Sequence, residues 1–370
     1  MNKPNYKLAK LQQDFKFFYD ANLRRKYEQL EPARQKYLGE FKTRFAISAA
    51  IVLIVIFLCM RGVICQQIYS SDWFIKLSVM VVIGMVYICS LPFKYYRADT
   101  KSLVMDKILS FWGTFKYSVV STIDDEDIKD SELFPHYNKD KTDDSFSGMY
   151  NDTRICVSEK NLLVKGNKND YSVFRGVLIL LEFNKQFSGK TVVKDRGNFY
   201  SIFKNNLQLV LALLMIIISI GVLIQIFIMA EDAFETALFI YMFLFFAIIS
   251  VICLLGFHKQ HKKATQQVKL EEISFNKKWN VLTDNQVDAR YILTPVFMEK
   301  INEVKKLFYG KHIDFSFFDN KLLLAVHTRK NMFETTTLLT PALDYHKVRE
   351  VVSQLNSIFS VIDVLNSARK

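Results

Sequence analysis

The residues best placed to do chemistry in this 370-residue chain lie in one short block, TDNQVDARYILTP at 283–295. Asp284, Asp288 and Arg290 bring two carboxylates and a guanidinium into it. Such a set can hold a polar or anionic ligand, because the guanidinium offers a fixed fork of donors and the carboxylates only accept. It also has a local reading: Thr283 or Asp284 caps a short helix, and Asp288 and Arg290 form surface ion pairs. Arg175 and Glu182 flank a very apolar stretch and are candidates for a pair across a sheet. The six histidines are His136, His258, His261, His312, His327 and His346. Of these, His258 and His261 sit among lysines, which disfavour a metal ion.

The familiar catalytic spacings are missing. The chain has no GxSxG, Walker A, dinucleotide-binding glycine or HExxH pattern. The acidic stretch 120–154 lacks the alternating acids, central glycine and closing glutamate of a calcium loop and reads as a solvated helix end and loop. Cys59, Cys65, Cys89, Cys156 and Cys253 form no CxxC pair and read as small buried hydrophobes. The expectation is therefore no catalytic set, no metal and no cofactor. A net charge of +12 fits nucleic acid, an anionic surface or membrane orientation. Much of the excess lies beside apolar runs, so no nucleic-acid partner is expected.

Those runs are 45–65, 77–93, 207–230 and 236–257. The first would be ~31 Å long as a helix, enough for a bilayer core of ~30 Å. They pair into two hairpins. Segment 1–44 holds eleven Lys and Arg, and more follow the second and fourth runs. The only charged residues in the links 66–73 and 231–235 are acids. The positive-inside rule then puts both termini and every large segment in the cytoplasm. No ionisable residue lies at the centre of any run, so a transport path is not expected.

The remaining segments must position any site. Leu8, Leu11, Phe15 and Phe18 make a helical stripe before the first run, and Pro32 suits the start of a second helix. Val104, Ile108, Phe111, Trp112 and Phe115 share one face of a helix over 97–119, which is either interfacial or part of the soluble body. Strands are expected in ICVSEKNLLV, YSVFRGVLILLEF, KTVV and KLEEISFNKKWNVL. A further pair, HIDFSFF and KLLLAVHT, is joined by a two-residue turn at Asp319-Asn320. Thr294-Pro295 and Thr340-Pro341 open helices over 295–309 and 341–366.

The resulting fold class is an α+β membrane protein: four transmembrane helices in two hairpins, plus a cytoplasmic antiparallel-sheet domain with packed helices. Its organisation is a helical segment 1–44, a first hairpin 45–93, a cytoplasmic part 94–206, a second hairpin 207–257 and a second cytoplasmic part 258–370. Residues 155–200 and 268–330 are expected to share one sheet system despite the hairpin between them.

FRGVLILLEFNKQFSGKTVV (174–193) and WNVLTDNQVDARYILTPVFMEKI (279–301) resemble the bacterial family of the domain of unknown function 3137. SELFP (131–135), GMYNDTRICVSE (148–159), FSFFDNKLLLAV (315–326) and MFE (332–334) fit it too, as does a helical segment followed by two spans. The second hairpin departs from that pattern and reads as an insertion. The resemblance implies a bacterial inner-membrane protein with a cytoplasmic α+β domain and no established catalytic residues. The function expected is a membrane-tethered scaffold or adaptor with a protein partner, anchored in the lipid bilayer. The alternative is a membrane enzyme or sensor that binds a small ligand or lipid headgroup near Asp284, Asp288 and Arg290.

Overall fold

A computed structural model describes residues 13–60, 72–113, 115–166, 169–183, 189–197, 217, 218, 220, 266–268, 273–334, 337–341 and 344–367. Two long helices dominate its first part, α1 (Arg24–Met60) and α2 (Asp72–Leu109). A π-helical turn, Tyr19–Leu23, precedes α1. Its wider turn keeps Phe15, Tyr19, Leu23 and Tyr27, spaced by four, on one buried line. Pro32 starts no new helix, contrary to the sequence expectation; α1 runs through it. Proline removes one helical hydrogen bond there, and the flanking contacts compensate. Leu30 is buried, and the Arg34 guanidinium donates to the Leu338 carbonyl at 2.9 Å while pairing with Glu31.

Farther along, α1 and α2 pack as an antiparallel hairpin, with Phe41 edge-on to Phe93 and the Tyr37 hydroxyl donating to Asp99. Beyond that level their apolar side chains face outward, Phe45 to Phe57 on one helix and Val79 to Ile88 on the other. The stretch Val79–Leu109 is long and apolar enough to cross a membrane, and only 11% of its most apolar window is buried, unlike a core helix. It is one such helix among the described residues. The expected third and fourth spans, 207–230 and 236–257, lie outside those residues except for Ile217, Ile218 and Ile220.

The lower half of α2 enters the soluble body. Val104, Met105, Ile108 and Leu109 are buried, and Trp112 packs on Phe359 and Phe15. Of the two sequence readings of 97–119, the structure gives the helix of the soluble body, ending at Leu109.

The body is a nine-stranded antiparallel sheet in the order β1-β2-β3-β4-β9-β8-β5-β7-β6. Its strands are β1 (Lys116–Ser118), β2 (Lys139–Tyr150), β3 (Thr153–Val164), β4 (Tyr171–Glu182), β5 (Thr191–Asp195), β6 (Gln266–Val268), β7 (Trp279–Thr283), β8 (His312–Phe318) and β9 (Lys321–His327). Residues 155–200 and 268–330 do share one sheet: β4 pairs with β9, and β5 lies between β8 and β7. Val177, Ile179 and Leu181 of β4 face a helical layer, and Leu178 and Leu180 face the segment holding Ile123, Ile128, Leu133 and Tyr137. Burial on both faces explains the unbroken apolar run of that central strand. Asp319 and Asn320 adopt positive φ and close the β8–β9 hairpin as expected; Asn151 and Asp152 do the same between β2 and β3.

Three sequence expectations need correction. The acidic stretch is not mainly loop: it holds α3 (Asp125–Asp130) and the twelve-residue β2. Cross-strand partners on β3 for residues on both sides of a short bulge in β2 override its weak strand propensity. In KLEEISFNKKWNVL the stretch expected as strand holds a helix, α4 (Ile273–Lys278), before β7 begins at Trp279, and residues 269–272 lie outside the described residues. The helix predicted from Pro341 is α7 (Tyr345–Ser367), where the Asp344 carboxylate accepts from the His346 amide; Thr340 instead accepts from the Lys347 ammonium. Two further helices among the described residues are α5 (Gln286–Ile292) and α6 (Pro295–Leu307), and Thr294 caps α6 as predicted.

Candidate functional site

Polar chemistry concentrates where α2 meets the sheet. A bulge between Thr142 and Ser145 shifts the phase of β2. Ahead of it Lys141, opposite Asn161, faces the helical layer; past it Phe146, opposite Val157, does so. The bulge therefore turns Lys141 and Asp144 toward the same side. Asp144 is 1% exposed and its carboxylate pairs with Lys101, itself 8% exposed, and accepts from the Tyr117 hydroxyl at 2.5 Å. Burial pushes the Asp144 carboxyl above its ordinary range despite the Lys101 ammonium. Beside it Arg97 bridges Asp143 at 2.6 Å and Glu334 at 2.8 Å.

Glu159, on β3, completes this node. It is 9% exposed and accepts from the Met332 amide at 3.1 Å. Burial raises its pKa to about 7, opposed by the Met332 N–H and Lys101 and reinforced by Asp144 and Asp143. Oxygens of Asp143, Asp144 and Glu159 lie within 4.8 Å of one another. Arg97 and Lys101 already neutralise the two aspartates, so the trio works as an ion-pair node, not a cation cage.

A cleft of about 280 Å³ opens beside the node, lined by Lys141, Asp143, Glu159, Asn161, Arg175 and Asn331 among others. Register places Lys141, Asn161 and Arg175 in one row across β2, β3 and β4. Most of these residues come from before residue 207, and Asn331 comes from after residue 257. Of these the sequence marked only Arg175, as a partner for Glu182, and Asp143, as part of the acidic stretch; neither was read as lining a cleft, since none of the lining residues belongs to a recognisable motif.

The residues singled out from the sequence lie elsewhere. Asp284 is exposed near the far edge of the sheet and its carboxylate accepts from the Lys190 amide at 2.7 Å. The cap of α5 is Asn285, which accepts from the Val287 and Asp288 amides; neither Thr283 nor Asp284 has that role. Asp288 is half-buried and Arg290 exposed, both on α5. The three share a short segment, but none of them lines the cleft. Glu182 pairs with Arg154, not with Arg175, which sits seven residues away on the same strand.

A second polar cluster joins β5, β8, β9 and α6. Asp195 accepts from the Lys305 ammonium at 2.7 Å and from the Gly197 amide at 2.9 Å. Burial pushes that carboxyl up, but Lys305 and the Gly197 N–H outweigh it and hold it below the carboxylate range. Asp314 accepts from the Asp195 amide at 2.7 Å and lies 3.2 Å from His327 Nε2. Burial lowers the pKa of His312. The described bonds here tie the ends of β5, β8 and β9 to one another and to α6, so the cluster reads as structural.

Residues 172–367 match the family described as protein of unknown function (DUF3137). The chain belongs to this family. The match covers β4 to α7, and it includes the proposed second hairpin. SELFP and GMYNDTRICVSE lie before it. No curated protein and no solved structure matches the chain. Within the matched region of this DUF3137 member fall Arg175, Asn331, Met332 and Glu334; the rest of the node and cleft comes from before it.

Proposed function

We propose that the protein is a bacterial inner-membrane adaptor, crossing the bilayer through two hairpins, with its termini and α+β body in the cytoplasm. One observation carries the reading: α1 and α2 run unbroken from an exposed apolar belt into the buried core of the body. A helix pair of that kind holds the body at a fixed distance and orientation from the membrane. The charge asymmetry of the sequence supports the orientation. An exposed apolar group on α5 and α6, Val287, Tyr291 and Val296, offers a face for a protein partner.

Reporter fusions test it. A cytoplasm-active reporter after Lys370 should be active, and one inserted at Gln67 should be active only when periplasm-specific. The reverse pattern sinks the orientation. A photo-crosslinker at Tyr291 should give a discrete adduct in cells, and its absence would remove the partner face. The second reading, a ligand-responsive module, is favoured by the polar cleft beside the α2 node.

A further inference from the structure

We propose that the cleft over β2, β3 and β4 binds a phosphate group through Lys141, Asn161 and Arg175. The inference deepens the ligand-responsive reading and is independent of the membrane topology.

The three side chains stand on one face at directly opposed positions, Lys141 to Asn161 and Asn161 to Arg175. Adjacent strands lie ~4.8 Å apart, so the outer two are separated by ~10 Å at their Cα atoms. Two long cationic side chains at that spacing can close on one small anion held over the central residue. The central residue is oriented for it. The Ser172 hydroxyl donates to Asn161 Oδ1 at 2.7 Å, which directs the Asn161 amide N–H groups away from that bond.

The charges are available as well. Other cations around the node are engaged: Arg97 by Asp143 and Glu334, Lys101 by Asp144, and Lys160, 3% exposed, by Asp140. Among the described residues neither the Lys141 ammonium nor the Arg175 guanidinium has such a partner. Ammonium, amide and guanidinium donors from three strands match a group with three outward oxygens better than a carboxylate with two. Asn331 closes the far wall, its side chain donating to Glu334 at 3.2 Å.

Two sources could present that phosphate: a soluble phosphorylated molecule or a phospholipid headgroup. Arg97 lies nine residues beyond Ile88, the last outward apolar residue of the α2 run, or ~14 Å along the helix. The cleft beside it is thus near headgroup depth if the belt lies in the bilayer.

The test uses the full chain in nanodiscs of zwitterionic lipid, titrated calorimetrically with inorganic phosphate, and in parallel nanodiscs containing phosphatidic acid, read by lipid retention in native mass spectrometry. Arg175→Gln and Lys141→Gln should each weaken binding about tenfold or more, as expected for loss of a charged hydrogen bond. Lys277→Gln, exposed on helix α4 before β7, should leave it unchanged. Binding of inorganic phosphate that depends on Arg175 and Lys141 supports a soluble ligand. Dependence seen only with phosphatidic acid supports the headgroup. Absence of binding in both arms, or equal binding by wild type and both variants, overturns the proposal. Because Lys141 is exposed, its variant keeps the test decisive if Arg175→Gln misfolds; circular dichroism checks that.

Discussion

Replacing Glu159 by Gln should make the protein more stable at neutral to alkaline pH and leave it little changed in mild acid. Glu159 is nine-tenths buried, and its folded pKa of about 7 stands above the ordinary glutamate value of 4.5. The folded state therefore holds the proton more tightly than the unfolded chain. That contribution to stability is fully present below the unfolded pKa and is lost as pH rises through about 7. At about 1.4 kcal/mol per pKa step, ionising the folded group costs about 3 kcal/mol. A glutamine carries no charge, and its carbonyl oxygen can still accept from the Met332 amide. The stability difference between Glu159→Gln and wild type should thus shrink by about 2–3 kcal/mol between about pH 8 and about pH 5. Denaturant unfolding of the detergent-solubilised chain, followed by the fluorescence of Trp112 and Trp279, measures it at each pH. Using the difference cancels every titration the two proteins share. A difference that stays flat across this range would refute the buried, proton-retaining Glu159 and the raised pKa with it.

Three further outcomes test the frame around the node. Lys101→Met should destabilise the body by about 3–5 kcal/mol by stranding the Asp144 charge, and Lys101→Met with Asp144→Asn should recover much of that loss; an additive double variant in the same unfolding assay would show no coupling. Gly176→Ala should cost about 3 kcal/mol, because its φ is +157° and a Cβ would lie 1.9 Å from the Val326 carbonyl oxygen, and thermal unfolding reads it. Asn285→Ala should cost about 1 kcal/mol through loss of the α5 cap, while Thr283→Val should leave hydrogen exchange of the Val287 and Asp288 amides unchanged.

Much of the architecture was legible because burial writes itself as periodicity. Alternation in HIDFSFF, the apolar run of KLLLAVH, the Asp319-Asn320 turn and the Thr294-Pro295 start all correspond to elements with the expected partners. β2 was not legible, since KDKTDDSFSGMY is polar and its strand state comes from neighbours distant in the chain. Pro32 misled for a related reason: Leu30 and Arg34 hold the helix from outside, where a local rule cannot look. The candidate site was the least visible. Asp284 and Arg290 drew notice by clustering in sequence, whereas Lys141, Asn161 and Arg175 are apart in the chain and meet only through register. A bulge that shifts phase by one residue decides which of them face together, and no composition signal records it.

The same geometry links the α1–α2 hairpin to the polar cleft. Arg97 and Lys101 are one helical turn apart on α2, and they grip the two consecutive aspartates of the β2 bulge. Any tilt or rotation of α2 must therefore move the bulge or break a largely buried ion pair. Breaking it is expensive, so movement of the bulge is the lower-energy response. The bulge sets the direction of Lys141, and Glu159 behind it holds the Met332 amide of the loop that carries Asn331. The two walls of the cleft are thus fastened to α2, one through the bulge and one through Arg97–Glu334. A ligand that draws these walls together would favour one setting of α2 over another, and by reciprocity the setting of α2 would change affinity for that ligand.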